Sequence, residues 1–171
     1  MINRRAIRFN NSGFSLLELV VVLAIVGTLL TISTIAFHNW MRKSRVEAQI
    51  QQMMADINST RLRAMTSKQR HSIVLDADKY AFRSYSSEAE SIDNGRLISN
   101  PTDVRFRLKK DATTNFTGER YEFDQRGILQ GIGNVMPILI EYEGDAAKDC
   151  LNLQGIRVTA GKRSGDVCNE N

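Results

Sequence analysis

Apolar and polar positions change their spacing along the chain. From Phe14 to about Phe37 almost every residue is apolar and Glu18 is the single charge, whereas from Arg42 to about Thr66 the apolar positions thin to Val46, Ile50, Met53, Ile57 and Ala64. That spacing is helical, and no proline occurs between Phe14 and Thr66, so both stretches predict one long helix. Its second half would lay Ile50, Met53, Met54 and Ile57 against a sheet and turn Arg61, Arg63 and Lys68 to solvent. Gly27 is the one residue of poor helix propensity in the apolar half, and any local melting would begin there.

Beyond about Lys68 the period shortens to two. His71–Leu75 and Tyr80–Tyr85 flank Asp76-Ala77-Asp78-Lys79, which predicts a hairpin. Arg96–Ser99, Val104–Leu108, Glu119–Phe123, Pro137–Glu143 and Gly155–Ala160 read as further short strands separated by Gly, Asn or Asp. Ser84–Asn94 is polar and serine-rich, which predicts a mobile surface loop. The fold class expected is α+β, a long N-terminal helix on antiparallel sheet.

The apolar run sets the first functional constraint. Leu19–Phe37 carries no charge and by itself exceeds the roughly 18 residues that mark a candidate membrane span. A secretory signal would have an apolar region of about 7 to 15 residues with a small-residue cleavage site after it, which does not fit. A buried core helix is rarely so long and so uniformly apolar. A plain single-pass anchor explains the length but leaves Glu18 without a reason. An acid in a membrane helix costs about 2.5 to 3.5 kcal/mol at mid-span, so Glu18 calls for a partner.

The residues around the start of the run supply one. Arg4-Arg5-Ala6-Ile7-Arg8 through Ser12-Gly13, followed by Phe14-Ser15-Leu16-Leu17-Glu18-Leu19-Val20, resembles a prepilin leader and the first turns of a type IV pilin or pseudopilin. The resemblance implies that a prepilin peptidase and N-methyltransferase cuts between Gly13 and Phe14 on the cytoplasmic side and methylates the new Phe14 amine. It also implies that Glu18 meets the methylated amine of a neighbouring subunit, making Glu18 an assembly residue. Partners would then be other pilins or pseudopilins, the inner-membrane assembly platform and inner-membrane lipid. Arg4, Arg5 and Arg8 precede the run and Arg42, Lys43 and Arg45 follow it, so the positive-inside rule is nearly balanced. A cytoplasmic leader and a periplasmic C-terminal domain therefore rest on the resemblance.

On this reading the chain divides into a leader, 1–13, a transmembrane and filament-core half-helix, 14–41, an amphipathic half, 42–68, and a β-rich domain, 69–171. The 171 residues leave room for one globular domain. The formal charge of +4 owes three arginines to the leader, which has no acid, so the remainder is nearly balanced and implies no general affinity for nucleic acid. Cys150 and Cys168 are the two cysteines, and a domain outside the inner membrane sits where disulfides persist. They are expected to pair, closing a loop of about 18 residues for roughly 3 kcal/mol by the chain-entropy estimate; two buried free thiols are the alternative.

A second resemblance lies in Tyr121-Glu122-Phe123-Asp124-Gln125-Arg126-Gly127, which is similar to the Phe-Asp-x-x-Gly turn of the FimT and GspH group of minor pseudopilins. Physically, Asp124 can accept from amides two residues on and Gly127 can take a positive φ, giving a tight reversal between strands.

Catalytic chemistry has little to stand on. His38 and His71 are the only histidines, which argues against a histidine metal cluster or triad, so neither metal nor cofactor is expected. Glu141 and Glu143 would share a strand face, an arrangement more often a solvated edge than an acid and base pair. Gly127, Gly131 and Gly133 lack the Gly-Lys-Ser/Thr of a phosphate loop. Asn115-Phe116-Thr117 matches a glycosylation triplet that is common by chance.

The function expected is a minor pilin or pseudopilin that helps initiate or cap a type IV pilus or a type II secretion pseudopilus. The rival is a DNA-binding minor pilin acting in uptake, since some FimT-like proteins use basic residues of the C-terminal region. Arg157, Lys162 and Arg163 are the candidates, with Lys162 and Arg163 expected at a loop tip between the cysteines where they would reach phosphates without reading bases. An exported enzyme on a borrowed anchor is the third reading.

Overall fold

The computed structural model describes Gly13 and residues 15–170, leaving aside the side chains of residues 32–35. One helix, α1 (Leu16–Ser67), runs through both apolar and amphipathic regimes. The chain divides into two units after Trp40.

In the first unit the apolar side chains are exposed on every face of α1, from Leu16 through Leu30 and again at Phe37. Beyond its first turn, helix formation here pairs the backbone amides within the segment, as a lipid environment would require. Hydroxyls follow the same rule, because Thr28 donates to the Ile25 carbonyl (2.8 Å) and Thr31 to the Gly27 carbonyl (2.9 Å). The helix continues unbroken through Gly27.

In the second unit Val46, Ile50, Met53, Ile57 and Ala64 form a fully buried stripe, with Met54 partly buried beside it. The stripe packs on the core residues Ile73, Leu75, Tyr80, Phe82 and Phe123. Lys68, at φ 55°, ends the helix in the left-handed conformation common after a last helical turn.

Eleven strands follow. One antiparallel sheet contains β1 (His71–Asp76), β2 (Lys79–Ser84), β3 (Arg96–Leu97), β4 (Thr102–Asp103), β6 (Thr117–Phe123) and β7 (Leu129–Gln130), in the order β3-β2-β1-β6-β7 with β4 also on β2. The other contains β5 (Leu108–Lys109), β8 (Met136–Ile140), β9 (Cys150–Leu153), β10 (Val158–Ser164) and β11 (Val167–Glu170), in the order β11-β10-β9-β8-β5. Both contribute to one core, as Leu108, Ile138, Ile140, Leu151 and Leu153 join the cluster under the helix stripe. The α+β layout expected from the sequence is present.

Polar ties fasten the helix to the β-domain. The amide of Ala147 donates to Glu47 (2.8 Å). The Gln49 amide donates to the Phe106 carbonyl (2.8 Å) and accepts from the backbone amides of Arg105 (3.1 Å) and Phe106 (2.9 Å). The Tyr80 hydroxyl donates to Asp56 (2.6 Å), and Arg61 donates to the carbonyls of Gly127 (2.9 Å) and Ile156.

These ties explain several departures from the expected pattern. Val104–Leu108 is not one strand: β4 ends at Asp103 and β5 begins at Leu108, and between them Gln49 takes hydrogen-bonding positions of Arg105 and Phe106 that a neighbouring strand would use. Arg61 does not face solvent, since two carbonyls of the β-domain hold its guanidinium. Ser84–Asn94 is tied down rather than loose. The Tyr85 hydroxyl donates to the Ile92 carbonyl (2.9 Å), Gln125 to Glu88 (2.7 Å), Arg83 to the Gly95 carbonyl (3.1 Å), and Arg120 pairs with Asp93. Strand Pro137–Glu143 shifts to end at Ile140, so Glu141 and Glu143 lie past it. Gly155–Ala160 becomes a turn and the start of β10.

Burial and the adjacent Asp56 carboxylate, in that order, raise the Tyr80 hydroxyl well above the usual tyrosine range. Burial does the same to Tyr121, aided by Glu119. Above about pH 10 the unfolded chain therefore releases these protons while the folded chain keeps them. The unfolded state then binds fewer protons, so stability should fall as pH rises past 10. Denaturant midpoints followed from pH 8 to 11 should drop across this window, and Tyr80→Phe should flatten the slope; an equally steep fall in Tyr80→Phe would refute the assignment to Tyr80.

Candidate functional site

At the amino-terminal end the Leu19 amide donates to the Ser15 carbonyl (3.2 Å), which closes the first turn of α1 and places Glu18 within it. Four orphan amides and the positive pole of the helix dipole lie there, and a carboxylate in that position is favoured by about 0.3 to 1 kcal/mol. Glu18 is exposed among exposed apolar neighbours, Leu17 and Leu19 included. Among the described residues it makes no ion pair. Gly13 precedes this turn and is exposed; Phe14 lies outside the described residues. Among the described residues no cation answers this acid, which stands in the first turn of a segment exposed and apolar on all sides.

The Asp124–Gly127 reversal joins β6 to β7. One Asp124 carboxylate oxygen accepts from the amides of Arg126 (2.9 Å) and Ile128 (2.8 Å), and the Gly127 amide donates to the Asp124 carbonyl (2.9 Å). Gly127 has φ 73°, and a Cβ there would meet Met65 Cγ at 2.8 Å and Arg61 Cγ at 2.9 Å. Glycine is thus required twice, by conformation and by contact with the helix.

Cys150 and Cys168 form a disulfide that ties β9 to β11, the strands on either side of β10. Asn152, nearly buried in β9, donates to the Cys168 carbonyl (2.8 Å) and reinforces the same link.

The basic residues of this region are placed differently from the sequence expectation. Lys162 and Arg163 lie within β10, paired with Asn169 and Cys168 of β11, and the turn is made by Gly165 and Asp166. The loop tip is therefore Gly165, at φ 62°, and carries no base. Lys162 pairs with Asp145, which lowers the Asp145 carboxyl below its ordinary range and raises the Lys162 ammonium. Arg163 donates to the carbonyls of Gly165 (2.8 Å) and Ile140 (3.4 Å), while Arg157 lies 3.7 Å from Glu170. All three cations are engaged within the domain.

Glu141 is bridged to Lys109 (2.9 Å), which holds its carboxyl below the ordinary range, and it forms no pair with Glu143. Buried His71 is bonded through Nδ1 to the Gln69 carbonyl (3.0 Å), and among the described residues no cluster of His, Cys, Asp or Glu is placed to hold a metal ion. One grouping escaped the sequence reading. The Arg42 guanidinium lies 5.9 Å from the Tyr142 ring centroid, and Phe106 packs edge-on to that ring at 5.9 Å. No periodic signal links Arg42 to the segment around Phe106; the polar Gln49 on the helix is the one hint.

A family model described as the prokaryotic N-terminal methylation motif matches residues 8–34. The match takes in Gly13, Phe14, Glu18 and most of the apolar run, and it indicates a type IV pilin-like or pseudopilin-like protein. Such a motif implies processing by a prepilin peptidase and assembly with other pilins. The helix that follows is long and apolar enough to cross a membrane. Comparison with curated proteins and with solved structures gives no match.

Proposed function

We propose that this chain is a minor pilin or pseudopilin of the FimT and GspH group that helps initiate or cap a type IV pilus or type II secretion pseudopilus. The methylation-motif match over residues 8–34, with Glu18 in the first turn of a helix apolar all round, carries this reading. Cleavage between Gly13 and Phe14 frees an amine one helical turn from Glu18, at the positive helix end where a cation is unfavourable. Glu18 offsets that cation within one subunit and, during assembly, meets the methylated Phe14 of the next. The apolar helix surface of Leu19–Phe37 then exchanges lipid for protein contacts. The turn at Asp124 and Gly127 supports placement in the FimT and GspH group.

Residues 14–41 act as membrane and filament-core helix, 42–68 as the amphipathic support, and 69–171 as the periplasmic domain. The Cys150–Cys168 bridge supports an oxidising compartment for that domain, with the leader on the opposite side of the inner membrane. A role in DNA uptake draws less support, as Arg157, Lys162 and Arg163 already have partners within the domain.

Mass spectrometry of the exported protein from a host with a prepilin peptidase should find an amino terminus at Phe14 carrying one added methyl group. An intact start at Met1, or a trim beyond Phe37, would defeat the reading.

A further inference from the structure

Trp40, 63% exposed, is the one tryptophan of the chain, and Arg42 and Arg45 follow it on the same helix. Neither arginine stands alone. Arg45 and Arg105 line one open groove of about 270 Å³ beside Gln49, whose amide fixes the backbone of Arg105 and Phe106. Phe106 packs on Tyr142, and the Arg42 guanidinium lies over the same ring. Arg107 is set next to Phe106 by its carbonyl, which accepts from the Glu141 amide (2.8 Å). Side chains far apart in sequence are thus gathered at the helix segment that directly follows the apolar run.

All four arginines are exposed, and among the described residues none makes an ion pair. That sets them apart from Arg70, Lys109, Arg120, Arg157 and Lys162, which are each bridged to an acid. The acids nearby are largely engaged: Glu47 accepts from Ala147, Asp145 holds Lys43 and Lys162, and Glu141 holds Lys109, although Glu141 also attracts Arg107 and offsets part of its charge. Asp103 lines the groove as well and offsets part of the charge.

We propose that Arg42, Arg45, Arg105 and Arg107 form a basic collar that binds the phosphate groups of anionic phospholipid at the bilayer surface. This rests on the reading above that the preceding helix spans the membrane. Arg42 and Arg45 follow Trp40 by two and five residues in the sequence. A headgroup layer is roughly 5 to 7 Å deep on each side, and an interfacial tryptophan marks its inner edge. Guanidinium groups bind phosphate oxygens in pairs, and the ring of Tyr142 holds one in place without neutralising it. The collar is built by tertiary contact, so it presents charge from the sheet domain as well as from the helix.

The test uses the full-length chain reconstituted in phosphatidylcholine vesicles containing a minor fraction of phosphatidylglycerol, with a bromine quencher on the acyl chains of one lipid or the other. Trp40 fluorescence reports which lipid is adjacent. Brominated phosphatidylglycerol should quench more strongly per mole than brominated phosphatidylcholine. The preference should fall by up to about fivefold per arginine removed at low salt in Arg105→Gln/Arg107→Gln, and collapse in high salt. Among the described residues neither side chain makes a hydrogen bond or ion pair, so the double variant should keep its disulfide. An unchanged preference in that variant would overturn the collar, leaving only charge carried by the helix. Absence of preference in the parent, combined with loss of filament incorporation in the variant, would overturn lipid as the ligand in favour of an acidic protein surface. Failure of either lipid to quench Trp40 would instead overturn the membrane reading, and the collar with it.

Discussion

Glu18→Gln should be cleaved, methylated and inserted like the parent chain yet fail to enter filaments. In the proposed processing the peptidase acts at Gly13-Phe14, whereas the carboxylate lies in the first turn of the helix, beyond that bond. The substitution keeps shape and hydrogen-bonding capacity and removes only the charge. In the proposed assembly state the methylated amine of the adjoining subunit would then be buried in an apolar core without a counter-ion. Removing one partner of a buried pair costs about 3 to 5 kcal/mol, a hundredfold or more in the assembly equilibrium. Sheared filaments probed against the membrane fraction should show that loss, while Glu18→Asp, which keeps the charge on a shorter arm, should lie between. Incorporation at parental levels in Glu18→Gln would remove the assembly role of this residue.

The largest effect on folding is expected at Gly161. Opposite it in the register stand Cys150 of β9 and Glu170 of β11. A Cβ at this position would lie 2.1 Å from the Asn169 carbonyl oxygen, 2.7 Å from its carbon and 3.1 Å from Cys168 Sγ. Two of these atoms are backbone and none can swing away, so β11 must leave β10 and take Cys168 with it. Gly161→Ala should cost about 3 kcal/mol or more, among the larger effects of a single substitution. Its two thiols should remain open to alkylation. Gly165→Ala provides the contrast: it has open space around it and only its φ of 62° to strain, a cost of about 1 to 2 kcal/mol. Denaturant unfolding of the detergent-solubilised proteins should rank them in that order, and a parental midpoint for Gly161→Ala would contradict the packing around the bridge.

The helix and the first hairpin were legible because their signals are local. Val46, Ile50, Met53, Ile57 and Ala64 recur on one face, and His71–Asp76 alternates against Lys79–Ser84 across a short turn. The Asp124 turn was legible for the same reason, since its bonds stay within five residues of sequence. Strands β9 and β11 were hidden. Asn152 sits in the core of β9 with its amide bonded to the Cys168 carbonyl, so a polar letter marks an interior position. Gly161, which looks like part of a loop beside Lys162 and Arg163, is small because the neighbouring strand leaves no room. Ser84–Asn94 looked loose because its anchors Arg70, Arg120 and Gln125 come from elsewhere in the chain. The candidate site at Gly13, Phe14 and Glu18 is contiguous and could be read directly, while the arginine collar depends on Gln49 reaching across to Phe106.

Glu47, Gln49, Asp56 and Arg61 reach strand and loop residues of the β-domain from successive levels of one helix. A pull along the helix axis, such as extraction from the bilayer or tension on a fibre, therefore loads these links in parallel instead of peeling them one by one. Rupture under such shear requires several bonds and the intervening apolar contacts to yield together. In the proposed membrane-anchored state the domain would thus bear a mechanical load through the helix segment to which it is tied.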